Sequence, residues 1–168
     1  RGAGFVTYSV EPLEGATTGT TISTTARVLF NTTAPQDTAT LTQTIDGVAP
    51  TTTLTAIPLF AGGSDYQVNW QAIDDATSAS SIGATSSGVK HVTVYVAEDG
   101  GDFKIWQSRT TEVEGVYQGQ AGHSYEFLAL ATDNAGNREA PPLGVLAPPD
   151  GGDTDLGTLP SVGATTVD

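Results

Sequence analysis

The sequence places oxygen-bearing side chains in two short stretches that together could bind a cation. Asp74 and Asp75 follow one candidate strand, and Asp133, Asn134 and Asn137 follow another. Ca²⁺ takes six to eight oxygen ligands from carboxylates, amide side chains and backbone carbonyls. If the two strands run toward the same end of one fold, their following loops meet there and form a Ca²⁺ site. The alternative is ordinary turn chemistry, because Asp, Asn and Gly favour turns without any metal.

The residue types that catalysis requires are few and scattered. The chain has no Cys, so it offers no thiol nucleophile and no thiolate ligand. His91 lies in an alternating stretch, where we expect its side chain on the solvent face, and His123 belongs to a turn before Tyr125. The sequence contains no nucleophile elbow, no His-Glu-x-x-His helix and no glycine-rich phosphate loop. We therefore predict that the protein is not an enzyme.

The charge balance restricts the partners of the chain. Six basic residues face nineteen acidic ones, for a formal net charge of −13 at pH 7. Such a surface cannot replace the counterions of a phosphate backbone, so we expect no nucleic-acid partner. No apolar run approaches the length that crosses a bilayer, so we expect no membrane insertion.

The composition favours an exported bacterial protein, which we expect outside the cell or on its surface. The chain lacks Cys and Met, has little Lys and is rich in Thr and Asp. Asn31-Thr32-Thr33 is an acceptor sequon, so Asn31 is a candidate for glycosylation. Thr is explained equally well as a solvent-facing β residue.

The elements that must position these residues are strands. β-Branched residues dominate and suit a pleated surface, and no stretch keeps the periodicity of a long amphipathic helix. Regularly spaced turn residues separate short alternating runs. The candidate strands after residue 50 are 51–57, 66–73, 89–97, 103–107, 114–118, 124–132 and 143–147. Seven short strands are the number that an immunoglobulin-like sandwich needs.

Turn-forming residues divide the chain into three parts. Asp46-Gly47-Val48-Ala49-Pro50 reads as a boundary, since Gly permits unusual dihedrals and Pro ends strand pairing. We predict a partial sandwich over residues 1–47, a complete sandwich over 48–148, and a Gly- and Asp-rich tail or donated strand over 149–168.

The second part resembles a fibronectin type III-like module of large bacterial surface and secreted proteins. Trp70 stands in the second strand, and the run from Gly88 to Val96 followed by Asp99-Gly100-Gly101 is similar to the third strand and hairpin of the family. The run from Gly122 to Phe127 and the loop Asp133-Asn134-Ala135-Gly136-Asn137 are similar to its sixth strand and closing loop. The resemblance implies a tyrosine corner at Tyr125, whose ring hydroxyl would need a backbone acceptor.

Residues 1–47 resemble the closing half of another bacterial sandwich repeat, carried by Gly4–Val10, Gly19–Ile22 and Ala26–Asn31. Three strands alone leave an unpaired edge and one apolar face that needs covering. The side chains that need cover are Phe5, Val10, Ile22, Val28, Phe30, Leu41 and Ile45. We expect missing strands or a second chain to supply this cover, with strand donation between subunits as the hypothesis.

The function that these features favour is structural. We predict an all-β module of an extracellular fibre or adhesin-like protein, polymerising by strand exchange with copies of itself or joined to adjacent domains. The alternative is a carbohydrate-binding or spacer accessory domain of a secreted hydrolase. A sugar platform would need exposed aromatic rings, for which the candidates are Tyr95, Phe103, Trp106 and Tyr117.

Overall fold

The computed structural model describes residues 15–29, 33–75 and 85–151. These residues form ten β-strands, every strand pair is antiparallel, and the described residues contain no helix. A search of the same residues finds no helix with the length and apolarity needed to cross a membrane. The prediction of an all-β sandwich fold is confirmed.

The chain divides into two compact units. The first comprises Arg1–Val48 together with Asp75–Ser87, and the second comprises Ala49–Asp74 together with Gly88–Asp168. The predicted strand over residues 143–147 falls in the second unit. The predicted strand at the start of the chain lies outside the described residues.

The described part of the first unit consists of two short ladders. β1 (Thr21–Thr24) pairs with β4 (Leu41–Thr44), and β2 (Arg27–Val28) pairs with β3 (Gln36–Asp37). Threonine and serine hydroxyls bond across the ladders, and the Arg27 guanidinium binds the Asp37 carboxylate at 2.6 Å. None of the apolar side chains described in this unit is buried, and Leu29 and Leu41 are 67% and 60% exposed.

The second unit is a sandwich of two three-stranded sheets. Its strands are β5 (Thr51–Pro58), β6 (Asp65–Ile73), β7 (Val89–Glu98), β8 (Lys104–Thr110), β9 (Glu114–Gln118) and β10 (Tyr125–Asp133). One sheet has the order β5-β6-β9 and the other β10-β7-β8. β7 and β8 form the expected hairpin, in which Asp99 and Gly100 have φ values of 52° and 70°. A turn with positive φ at both central residues has a backbone twist that matches the right-handed twist of the flanking strands.

Apolar side chains from the facing surfaces of the two sheets form the core. Alternation places every second residue of each strand inward. The buried members are Val68, Trp70, Val92, Val94, Ala129 and Ala131. The Trp70 indole nitrogen donates to the Glu112 carbonyl oxygen at 2.6 Å, so the buried polar atom of this ring is satisfied.

The outer face of β7 is also covered. Thr93 and Tyr95, which alternate with the core residues, are fully buried. The segment 138–150 provides hydrogen-bond partners there, because the Tyr95 hydroxyl donates to the Pro148 carbonyl oxygen at 3.1 Å and the Thr93 hydroxyl donates to the Asp150 carboxylate at 2.9 Å. Arg138 Nη2 also donates to the Tyr95 hydroxyl at 2.6 Å. Burial raises the pKa of Tyr95 above its ordinary value, while the nearby Arg138 opposes the shift.

The predicted strand over residues 143–147 is wrong. The chain begins to pair with β10 through the bridge between Thr132 and Arg138. The residues from Pro142 to Val145 then form a turn, in which the Val145 N–H donates to the Pro142 carbonyl oxygen, and no strand follows over 145–147. Pro141 and Pro142 have no N–H to donate, so a ladder along β10 cannot continue through them.

Candidate functional site

The ends of β6 and β10 bring two of the predicted cation ligands together. Asp74 directly follows β6, and Asp133 is the last residue of β10. A carboxylate oxygen of Asp74 lies within 4.8 Å of one of Asp133. The two strands belong to different sheets but run to the same end of the sandwich, as the sequence predicted. The distance is compatible with two carboxylates sharing one cation.

Asp133 is fully buried and organises the loop that follows β10. Its two carboxylate oxygens accept hydrogen bonds from the backbone N–H of Asn137 at 2.8 Å and from the Asn137 side-chain amide at 2.7 Å. The Asp133 N–H in turn donates to the Asn137 carbonyl oxygen at 3.1 Å. These bonds close the loop without a metal, which is the turn chemistry that Asp and Asn commonly provide.

Gly88 connects Asp74, which follows β6, to Asn134, which follows β10. Its N–H donates to the Asp74 carboxylate at 2.7 Å, and its carbonyl oxygen accepts from both the backbone N–H and the side-chain amide of Asn134, each at 2.9 Å. Gly88 has a φ of 84°, in the region that favours glycine. Hydrogen bonds thus link Asp74, Gly88 and Asn134 in one set and Asp133 and Asn137 in another, and the two sets meet at the neighbours Asp133 and Asn134. We call these five residues the Asp133 cluster.

Two predicted site residues do not belong to the Asp133 cluster. Asp75 is exposed and is part of the first unit. Asn31, the candidate for glycosylation, lies outside the described residues. The structure thus groups four of the five predicted metal ligands, and the metal itself stays a prediction.

The expectation that His91 faces solvent is wrong. His91 is only 9% exposed, and its Nδ1 atom is buried with no hydrogen-bond partner among the described residues. The residue contributes to the lining of a pocket of about 230 Å³, together with Trp70, Ala72 and the connection from Thr110 to Val113. This pocket is large enough for a single small ring.

A second group of titratable side chains lies at the opposite end of β7. His123 Nδ1 is 2.7 Å from an Asp99 carboxylate oxygen and 3.1 Å from a Glu98 carboxylate oxygen, and all three side chains are exposed. The hydrogen bond to Asp99 raises the pKa of His123. The Ser124 N–H, with His123 as the second cause, lowers the pKa of Asp99. This arrangement is an ion pair that joins the β7–β8 turn to the loop before β10.

Two of the four aromatic side chains considered for a sugar platform, Trp106 and Tyr95, pack against other parts of the second unit. Trp106 is half-buried and contacts Trp70, Tyr117 and Phe127 edge-on, with ring centroids 5.5 to 6.0 Å apart. Tyr95 is fully buried beneath the segment 138–150. Edge-to-face contacts of this kind stabilise aromatic clusters in a core. These two rings are therefore engaged in packing.

Sequence reasoning missed an open strand edge on β10. On the side of β10 away from β7, the Ala131 carbonyl oxygen accepts from the Glu139 N–H, and the Ala131 N–H donates to the Glu139 carboxylate. The Ala129 carbonyl oxygen accepts from the Thr52 hydroxyl at 2.6 Å. Among the described residues, none bonds the Phe127 N–H, the Phe127 carbonyl oxygen or the Ala129 N–H. We call Tyr125–Ala129 the open edge. The Pro141-Pro142 pair was the signal that could have predicted it.

Comparison with known proteins adds no relative. No family model, no curated protein sequence and no solved structure matches this chain.

Proposed function

We propose that this chain is a non-enzymatic structural module of an extracellular fibre or adhesin-like protein, and that copies associate by exchanging strands. The observation that carries the proposal is the uncovered apolar surface of the first unit. Leu29 and Leu41 are 67% and 60% exposed, and the ladders that the described residues of this unit form are two strands wide. Two-stranded ladders are marginal in water until further strands cover one face. Strands from another copy or an adjacent domain provide that cover.

Assembly of the full chain tests this proposal. We expect sedimentation velocity to show growing species as the concentration rises, and electron microscopy to show elongated particles. Leu29→Ser combined with Leu41→Ser should weaken the assembly, because the leucines then have no apolar area to bury. Ile57→Ser with Phe60→Ser, at exposed positions of the second unit, is the matched control. A chain that stays monomeric at every concentration contradicts the proposal.

We propose further that the second unit is a sandwich of the fibronectin type III-like type. The two sheet orders support this, and so does Tyr125, whose hydroxyl accepts a hydrogen bond from the Gln120 N–H at 2.8 Å. A hydroxyl bonded to backbone a few residues upstream is the tyrosine-corner arrangement, although the partner here is a donor rather than the expected acceptor.

The Tyr125 hydroxyl gives a direct measurement for this assignment. Tyr125→Phe removes the acceptor of the Gln120 N–H, and we expect a loss of about 1 kcal/mol in the free energy of unfolding. Tyr66→Phe, in the same aromatic cluster, is the control. Equal stability of Tyr125→Phe and the wild type would argue against a tyrosine corner.

Calcium binding at the Asp133 cluster is a proposal that rests on the proximity of the Asp74 and Asp133 carboxylates. A bound cation would link the ends of β6 and β10 and stabilise the second unit. Thermal unfolding with added Ca²⁺ and with chelator is the measurement. An unchanged midpoint between the two conditions excludes a stabilising cation.

An extracellular location and a glycan at Asn31 remain proposals supported by composition and by the sequon. Mass spectrometry of separated cell fractions from the native source tests both, since it shows which fraction contains the protein and whether Asn31 carries added sugar mass. An unmodified Asn31 in every peptide would contradict glycosylation.

A second candidate function is carbohydrate binding by the pocket beside Trp70. Its lining combines apolar groups with the polar side chains of Thr110, Thr111 and Glu112. A pocket lined by apolar residues and a few polar ones is suited to a single sugar ring. Titration of the intrinsic Trp fluorescence with monosaccharides measures this binding, and no change up to high millimolar sugar excludes it.

A further inference from the structure

The open edge on β10 is the size of one short strand. β10 bonds β7 on one side through its whole length, and on the other side Glu139 and Thr52 bond only its C-terminal part. The backbone N–H and carbonyl groups at Phe127 and the N–H at Ala129 point away from β7 and bond none of the described residues, while Ala129 is 3% exposed beside Thr52. Such an edge accepts an added strand through main-chain hydrogen bonds.

The chain also contains an uncovered apolar segment of the matching length. Residues 143–147 read Leu-Gly-Val-Leu-Ala, and Leu143 and Leu146 are 105% and 85% exposed. None of these five residues is a proline, so each can donate its N–H to a ladder. This segment follows β10 in sequence, in the place where a seventh strand would pair with it.

The chain's own segment is held away from its own open edge. Pairing that begins at Arg138 and Glu139 stops at Pro141 and Pro142. The chain then crosses the outer face of β7, where Tyr95 and Thr93 bond Pro148 and Asp150. One molecule therefore carries an unfilled edge together with a segment suited to fill it, separated by a proline hinge. Hinges of this kind favour the exchange of identical elements between copies.

We propose that residues 143–147 of one copy add as a strand to the open edge of β10 in a second copy. The inference rests on the proposed function, for which it names the acceptor strand and the donor segment of the second unit. Docking opens the turn between Pro142 and Val145, which loses one backbone hydrogen bond. The new ladder gains bonds at Phe127 and Ala129. Leu143 and Leu146 lie on opposite faces of an extended strand, so one of them packs between the two sheets.

The experiment uses the full chain and two readouts. Sedimentation velocity over a concentration series gives the association constant, and amide hydrogen exchange by NMR follows Phe127 and Ala129. We expect the Phe127 amide to exchange rapidly in dilute protein and both amides to gain protection as copies associate; Ala129 starts from slower exchange because it is only 3% exposed. Leu143→Ser with Leu146→Ser should weaken association by roughly tenfold or more. The two positions lie on opposite faces of an extended strand, so the double variant removes whichever leucine enters the space between the sheets.

The matched control is Ile57→Ser with Phe60→Ser, which removes two exposed apolar side chains of the same unit away from the donor segment. Both double variants change exposed positions, so both are expected to fold. The control should associate as the wild type does and keep the protection at Phe127 and Ala129.

The other outcomes separate the inference from the proposed function. If the wild type associates but the Leu143/Leu146 variant is unaffected and neither amide gains protection, the inference is wrong and the proposed function stands. Protection at the two amides with an unaffected variant means that a different strand fills the edge, which also overturns the inference. A wild type that never associates overturns both.

Discussion

The Asp99 carboxylate joins two loops of the second unit. One oxygen accepts the Ser124 N–H at 2.9 Å, and the other faces His123 Nδ1 at 2.7 Å. The Asp99 N–H donates to the Ser124 carbonyl oxygen, so backbone and side chain fix the same contact. Because a charged hydrogen bond favours the charged forms of both partners, the stability of this end depends on pH.

We predict a pH window for this contribution. The pKa of His123 is raised, so its contribution is full below the unfolded value of 6.5 and is lost as the pH rises through the folded value. The pKa of Asp99 is lowered, so its contribution is present above 3.8 and is lost as the pH falls through the folded value. The ion pair therefore stabilises most between these two values.

Thermal unfolding from about pH 5 to pH 8 measures the alkaline side of the window. Relative to the wild type, His123→Gln should be less stable at the lower pH and should converge with it at the higher pH. Glu126→Gln, at an exposed position of β10, is the control for a general change in charge. A constant difference across this range contradicts the assignment to His123.

Single residues were predictable from the sequence only where chain direction decides their position. Asp74 and Asp133 meet because each ends a strand at the same end of the sandwich. His91 could not be placed, because alternation separates two faces of a strand without saying whether the second face is covered. In β7 both faces are buried, and the covering segment comes from 138–150.

At the scale of elements, the loop after β9 depends on a residue without a side chain. Gly119 lies where a Cβ would collide with the Ser64 carbonyl oxygen and with the ring of Tyr125. Since one of these neighbours is backbone, it cannot rotate away. The close approach joins the β5–β6 hairpin to the aromatic cluster around Tyr117 and Tyr125.

We expect Gly119→Ala to lower the free energy of unfolding by about 1 to 3 kcal/mol, because the chain must shift to admit the methyl group. Gly47→Ala is the comparison, since its Cβ would meet nothing closer than the Thr18 hydroxyl at 3.6 Å. Calorimetric unfolding measures both variants. Equal midpoints for Gly119→Ala and Gly47→Ala would show that the loop yields more easily than its contacts indicate.

The strands themselves were largely predictable because alternation and turn residues bound them. β9 begins and ends at the predicted residues, and β5, β6 and β7 lie within two residues of their predicted bounds. The prediction of a seventh strand failed for a physical reason. The composition of 143–147 favours a strand, but Pro141 and Pro142 turn the chain away before it can pair with β10.

At the scale of the whole molecule, the charge opposes any association between copies. Each chain carries a formal net charge of −13 at pH 7, so two copies repel each other before they touch. Screening shortens the range of that repulsion from about 10 Å at 0.1 M salt to about 3 Å at 1 M.

We therefore predict that added salt strengthens self-association. Sedimentation velocity between about 0.05 and 0.5 M NaCl should show the association constant rising several-fold, because screening lowers the repulsion between the copies. Sucrose at matched osmolality is the control for non-ionic effects. Weaker association at high salt would mean that attractive ion pairs, rather than apolar contacts and backbone bonds, hold the copies together.

The segment 138–150 and the strand β5 would respond differently to a pulling force. β5 is joined to β6 by eight consecutive residue pairs, which must break together when the strand is sheared along its length. The contacts of 138–150 with β7 are separate side-chain hydrogen bonds, which can open one after another. When the second unit is stretched, this segment should therefore yield before β5 and lengthen the unit by up to about 45 Å while the sandwich stays intact. A single-molecule stretching trace without that early, low-force step would contradict the order of rupture.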